Sequence, residues 1–279
     1  MAAMLEAAET VTPAVAPAPP ARALGRLGAL EVRLAEREEE LRAAQRLRFR
    51  VFYEERGAVP AGPALDADPF DAVCDHLLVI DHGAPAGPAA VGTYRLLRQD
   101  VAQRHFGFYS AAEFEIGPLL ATKRGLRFLE LGRSCVLRPY RTRRTVELLW
   151  HGIWSYVLRH RIDVMFGCAS LDGTDPARLA LPLSFLHHHA GARDPWRVRA
   201  RPDRAVAMDL VPQDALDPRA AIAALPPLVK GYWRLGAAFG EGAVVDEAFE
   251  TTDVLVILPV SALNPRYVAY FGPSADRHA

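Results

Sequence analysis

The chain has 279 residues, 33 Lys and Arg against 33 Asp and Glu, and 51% of its residues are apolar. That is the composition of a soluble globular protein of one or two domains, and the zero net charge excludes a whole-protein nucleic-acid binder, which carries a basic excess. Cys74, Cys135 and Cys168 stand far apart, are odd in number and form no CxxC, which suggests neither a disulfide framework nor a structural zinc site and fits a reducing cytoplasm. No apolar run approaches a membrane span, and Glu6 and Glu9 sit where a secretory signal needs an apolar stretch. Membrane contact is therefore expected to be peripheral at most.

Residues 1–24 are rich in Ala and Pro without periodicity, the signature of a disordered tail. A short strand is predicted over 29–35 and a helix over 36–55, with Leu41, Ala44, Leu47, Val51 and Phe52 on one side. The Gly-, Pro- and Asp-rich stretch 57–69 predicts a loop. Strands at 76–81 and 89–97, separated by a turn-prone segment, predict an antiparallel pair. A short helix over 101–106 follows, then a strand over 127–137. A helix over 142–160 and a strand over 163–168 complete a strand, turn, helix, strand unit whose length suits a right-handed parallel crossover. The remainder predicts helices over 176–189 and 227–239 and strands near 244–249 and 253–258.

Several apparent motifs carry little chemistry. His76-x4-Asp81 and His189-x4-Asp194 match an acyltransferase HxxxxD pattern, yet in the first a strand sends residues five apart to opposite faces. His187, His188 and His189 read as cations in a last helical turn rather than a shared metal site, because adjacent helical residues diverge by about 100°. Cys135 and Cys168, in apolar strands, read as inert core thiols.

The informative stretch runs from Phe128 to Leu149. Glu130 sits in an otherwise apolar strand, where an unpaired charge is costly. Two readings stand side by side: an ion pair with Arg133, which a bulge at Gly132 brings to the same face, and a general base whose pKa is raised by burial. Residues 123–144 hold eight basic groups and one acid, and Arg138, Arg141, Arg143 and Arg144 gather at a helix N-terminus, which describes an anion site. Asp66, Asp68, Asp71 and Asp75 cluster upstream, either to recognise a cation or as turn and cap residues.

A strand carrying a carboxylate, a basic turn and a helix in this order resembles the donor-binding core of the GNAT acyltransferase superfamily, although Thr142, Arg144 and Val146 stand where loop glycines are usual. Arg48 with Phe52, Asp68 with Asp71, Arg95 in VGTYRLL, and Glu130 with Arg133 resemble the signature of the branch shared by acyl-homoserine-lactone synthases and ornithine lipid N-acyltransferases. FDAVCDHLLV, ELGRSCVLRPYR, LLWHGIWSYV, FGCASLDGTDP, LPPLVKGYWRLGA and TTDVLVILP extend the likeness to the ornithine acyltransferases over about residues 29–272. Gly57 and Ala58 stand where the lactone synthases usually carry a Trp.

The resemblance implies an α/β fold of GNAT type: a mixed twisted sheet, helices on both faces and a splayed central strand pair. It implies one domain over residues 25–272 with a C-terminal extension, followed by a flexible end at 273–279. It further implies transfer of a 3-hydroxyacyl chain from acyl carrier protein to the α-amine of L-ornithine, giving lyso-ornithine lipid, in the cytoplasm or peripherally on the inner membrane. Glu130 then serves as base, Asp68 and Asp71 as partners of the ornithine side-chain ammonium, and Arg133 or Arg95 as partner of its carboxylate or as a structural pair. Arg138, Arg141, Arg143 and Arg144 meet the acidic carrier. No metal or redox cofactor has a task in this scheme. Another amino-acid or lactone-type synthase of the branch, or a non-catalytic binder of acyl carrier protein or membrane surfaces, remains an alternative.

Overall fold

A computed structural model describes residues 23–57 and 62–263. The expected tail at 1–22, part of the expected loop at 58–61, including Ala58, and residues 264–279 lie outside the described residues.

The strands are β1 (Gly25–Leu27), β2 (Leu30–Leu34), β3 (Asp75–Asp81), β4 (Ala89–Arg98), β5 (Phe128–Val136), β6 (Val164–Asp172), β7 (Ala205–Val206), β8 (Ala238–Phe239), β9 (Ala243–Asp246) and β10 (Thr251–Pro259). They form one sheet in the order β1-β2-β3-β4-β5-β6-β10-β9-β7, with β8 also on β10. Among the strands of the described residues, only β5 and β6 pair in parallel. Their connection is α4 (Arg143–His160), the crossover expected from the sequence.

Helix α1 (Glu38–Phe52) opens with Glu38, Glu39 and Glu40, which favour the positive end of the helix dipole, and buries Ala44, Leu47 and Arg48 on one stripe. It is shorter than the expected 36–55 because the chain tightens into a 3₁₀ turn ending at Gly57. Helix α4 is capped by the Thr142 side chain, which accepts from Thr145 N. It lies against β2 and β3 so closely that a Cβ at Gly152 would fall 2.6 Å from a Val32 methyl.

The two sheet faces carry separate cores. Leu129 and Leu131 of β5 pack with Leu148, Leu149 and Ile153 of α4. Phe128 faces the other way, packing with Leu97, Phe108 and Phe166. Each fully buried side chain of this kind contributes roughly 1.5–3 kcal/mol.

Elsewhere the boundaries move. The helix expected over 101–106 is α2 (Gln99–Ala102), and α3 (Ile116–Thr122) and α6 (Pro218–Ala224) were not anticipated. The segment 176–189 begins as a 3₁₀ turn before α5 (Ala180–Ala190). The helix expected over 227–239 is α7 (Pro227–Leu235). Gly236, at φ +100°, ends it, and Ala238–Phe239 joins the sheet instead.

Candidate active site

Pairing between β5 and β6 lasts only from Phe128↔Val164 to Glu130↔Phe166. Gly167, at φ +157°, lies where a Cβ would be 2.1 Å from the Leu131 carbonyl oxygen, so any side chain there would drive the strands apart at the point of divergence. Beyond it the strands part around a cavity of about 1430 Å³ that reaches both faces of the sheet.

Glu130 sits at the apex of this opening, 4% exposed. Its carboxylate accepts from Tyr109 N at 2.8 Å, Ser110 N at 2.7 Å and the Ser110 hydroxyl. Burial nevertheless outweighs these bonds and raises its pKa above the ordinary carboxylate value. The Glu130–Arg133 ion pair expected as one reading is not formed. Arg133 turns instead to Asp66 at 3.2 Å and Asp68 at 3.3 Å. A bulge is present, but one residue later than expected: Thr93↔Cys135 and Arg95↔Gly132 leave Arg133 and Ser134 opposite Tyr94 alone, with Arg133 at φ +49°. This conformation carries the guanidinium to the face of Glu130, between the rings of Tyr109 and Phe249, each 4.9 Å away.

The expected acceptor residues do meet, but chiefly one another. Arg48, 1% exposed, binds Asp71 in a fork at 2.8 and 2.6 Å and approaches Asp66 at 2.8 Å. Arg95 donates to both Asp68 oxygens at 2.7 Å and to Asp71 at 3.1 Å. Arg48 beside it holds the Asp71 carboxyl, despite its burial, well below the usual carboxylate range. Asp68 also caps the following turn by accepting from Phe70 N. Asp68 and Asp71 are therefore committed to arginines rather than offered to an ammonium, and with Arg48 they stand behind the cavity wall, whereas Phe52, Arg95 and Arg133 line it.

Of the four arginines at the strand-to-helix turn, Arg138 and Arg141 line the cavity, and Arg141 pairs with Glu55. Arg143 pairs with Glu147 of its own helix, and Arg144 lies on the exposed surface.

Sequence reasoning missed Tyr109 and Ser110, which hold Glu130 from an aperiodic segment. It also missed Glu113, Cys168 and Asp253, whose ligand atoms lie within 4.8 Å of one another next to Ser110. Burial pushes the Glu113 carboxyl up to about 7, raises that of Asp253, and lifts the Cys168 thiol well above its ordinary range. The adjacent histidines also come closer than their helical spacing implies. Ligand atoms of His187, His188 and Asp209 also lie within 4.8 Å of one another, because side-chain reach overcomes the angular divergence of neighbours; His188 Nε2 lies 3.0 Å from the Val211 carbonyl. His76 and Asp81 have separate tasks, on the Asp71 carbonyl and the Tyr140 hydroxyl.

An acetyltransferase (GNAT) domain model matches residues 47–151. An L-ornithine N(alpha)-acyltransferase of Rhizobium meliloti is 56% identical over 266 residues, covering 93% of this chain and 90% of the relative. This chain belongs to the L-ornithine N(alpha)-acyltransferase family. A second member of that family, from Brucella abortus, is 55% identical over 91% of this chain and 92% of its own. Among solved structures, FeeM, an N-acyl amino acid synthase from uncultured soil microbes, aligns with a TM-score of 0.45 at 13% identity, covering 83% of this chain and 91% of the other. The family is an enzyme family with a GNAT-type fold, and the mixed sheet with one splayed parallel pair has that form here. Among the described residues no helix is long and apolar enough to cross a membrane.

Proposed function

We propose that the protein transfers a 3-hydroxyacyl chain from acyl carrier protein to the α-amine of L-ornithine, releasing the carrier's pantetheine thiol and lyso-ornithine lipid. The observation that carries this reading is Glu130, a buried carboxylate with a raised pKa at the apex of a cavity open to both faces of the sheet. An α-ammonium must lose a proton before its nitrogen can attack a thioester carbonyl. Glu130 takes that proton, directly or through one water, and its raised pKa brings it nearer to the operating pH. Three donors fix one orientation of the carboxylate, so the proton is accepted without rearrangement. The nitrogen then bonds to the acyl carbon, the tetrahedral centre collapses, and the thiol departs with a proton.

Past Glu130 the β6 side of β5 has no strand partner, which leaves backbone amides for the developing oxyanion. A guanidinium has five N–H donors, more than Asp66 and Asp68 engage, so Arg133, clamped between two rings, suits the acceptor carboxylate, with Arg95 behind it. With Asp68 and Asp71 committed elsewhere, the side-chain ammonium is assigned to Asp246 and Asp253, two of the carboxylates that line the cavity. A cation arriving there offsets the burial that raises the Asp253 pKa. Arg138, Arg141, Arg143 and Arg144 meet the acidic carrier and its phosphate. The scheme requires no metal or redox cofactor, and membrane contact is peripheral.

The test is mass spectrometry of lipids from cells making the protein or its Glu130→Gln variant, with turnover measured on the purified proteins. The parent should yield lyso-ornithine lipid, and Glu130→Gln should lower kcat by about 10²- to 10⁴-fold while the protein stays folded, with the melting temperature measured alongside. A folded variant with near-parental turnover would rule out the base role. A parent that acylates some other amine would rule out ornithine.

A further inference from the structure

On the α4 side the cavity wall is apolar. Val146, Leu149 and Trp150 come from α4, and Pro227, Leu228 and Gly231 come from α7. Helix α7 is amphipathic across these two tasks: Val229, Tyr232 and Leu235 are buried, whereas Leu228 and Gly231, three apart and so on one face, line the cavity. Trp150 meets Tyr232 edge to face at 5.5 Å, which ties α7 to α4 along the slot between them.

Gly231 stands out in this helix. A glycine in a helix interior is unfavourable relative to alanine, its φ is ordinary, and a Cβ built on it meets nothing within 4 Å. Neither backbone conformation nor packing against the rest of the chain calls for glycine, so what its missing side chain provides is open space in the cavity. Val146 of α4 and Leu228 of α7, 45% and 36% exposed, line the same cavity and are two of the large apolar side chains that the chain itself leaves uncovered.

We infer that the acyl chain of the donor runs along this slot between α4 and α7, and that Gly231 and Leu228 set the chain length the enzyme accepts. The inference rests on the acyl transfer proposed above and assigns its acyl subsite. Continuity decides the occupant: the slot belongs to the same cavity as Glu130, so an acyl group whose carbonyl reaches the apex of β5 and β6 extends its chain along the apolar wall, away from the charged groups on the α1 side. Each methylene buried there strengthens binding about fourfold.

The experiment compares kcat/KM for 3-hydroxyoctadecanoyl and 3-hydroxydecanoyl carrier protein across Gly231→Ala, Gly231→Leu and Leu228→Ala, with melting temperatures alongside. Gly231→Leu should lower the long-to-medium ratio roughly fifteenfold, the effect of displacing two buried methylenes. Gly231→Ala should lower it less, and Leu228→Ala should raise it. Binding of the fluorescent fatty acid cis-parinaric acid reads the slot without turnover and should weaken most in Gly231→Leu and less in Gly231→Ala. Gly231→Ala, favoured in a helix, and Leu228→Ala, at an exposed position, keep the test decisive if Gly231→Leu does not fold. Ratios and fatty-acid affinities within twofold of the parent in every folded variant would overturn the inference. A parent that acylates no ornithine, while its fatty-acid affinity still follows the Gly231 series, would overturn the proposed reaction and leave the slot standing.

Discussion

The two ends of the cavity are built on opposite principles. On the α1 side, Arg48, Arg95 and Arg133 interlock with Asp66, Asp68 and Asp71, so that each charge is held by groups from distant parts of the chain. On the α4 side, Val146, Trp150, Leu228 and Gly231 define an apolar surface by shape. The difference separates two requirements of the proposed reaction. A small acceptor with three charged groups needs a preorganised polar frame, since misplacement by even about 1 Å can cost about 10²-fold in rate. A hydrocarbon chain needs only an apolar wall of the right length.

The sharpest way to break the comparison is to remove one member of the ion network. Asp71→Ala leaves Arg48, only 1% exposed, without its bidentate partner, and breaking a buried pair in this way costs about 3–5 kcal/mol. Val146→Ala, in the apolar wall, should change stability by no more than about 0.5 kcal/mol. Urea denaturation of the two variants compares the halves directly. Because the folded-state pKa of Asp71 is depressed, the stability it contributes is present above its unfolded value of about 3.9 and is lost as pH falls below that toward its folded value. The same holds for Glu40, lowered to about 2. The parent's acid denaturation curve should therefore flatten in Asp71→Ala. Equal stabilities for the two variants would mean that the network is a surface ornament of the cavity rather than its frame.

Glu113 has a smaller effect of opposite sign. Its nearest cation, Arg204, is 3.7 Å away, so burial dominates and its pKa stands at about 7. Between about pH 4.3, the unfolded value, and pH 7, the folded protein holds a proton that the unfolded chain has released, and stability falls as pH rises through that window. Glu113→Gln removes the ionisation while keeping an oxygen to accept from Cys168. It should stabilise the protein at pH 8 by up to about 3 kcal/mol and give no gain at pH 4. Melting curves at the two pH values decide it, and a gain of the same size at both would assign the effect to packing.

The two halves were also unequally legible in the sequence. The crossover from β5 through α4 to β6 could be read because its periodicities are local: a helical repeat over 142–160 flanked by apolar strands. Glu130 could be read because a carboxylate amid Phe128, Leu129 and Leu131 has no local excuse. Its holders could not, since Tyr109 and Ser110 sit 21 and 20 residues upstream in a segment without period. The charged residues Arg48, Asp68, Asp71, Arg95 and Arg133 were identified, but not their pairing, because which arginine meets which aspartate depends on the Arg133 bulge and on the loop before β3. The apolar wall was least visible. Helix α7 was overrun into β8, and within it Gly231 looks like any other glycine until the space beside it is seen.

The smallest predicted effects concern the cavity's rim. Arg138 lines the cavity, whereas Arg144 lies outside it on the exposed first turn of α4. If both meet an acidic carrier, Arg138→Glu and Arg144→Glu should each raise the KM for acyl carrier protein a few-fold and weaken its dependence on salt. Rim charges act mainly through association rate and are screened within about 10 Å at 0.1 M. A small acyl-phosphopantetheine donor separates the two. It keeps the phosphate but not the carrier's acidic surface, so Arg144→Glu should leave its KM within twofold, while Arg138→Glu should raise it as it does for the carrier. Equal losses with both donors for Arg144→Glu would place the phosphate at the helix N-terminus and remove the carrier-docking role from that residue. Arg143, already paired with Glu147, should show the weakest response when reversed. A larger effect there than at Arg144 would mean that the carrier displaces that pair on docking.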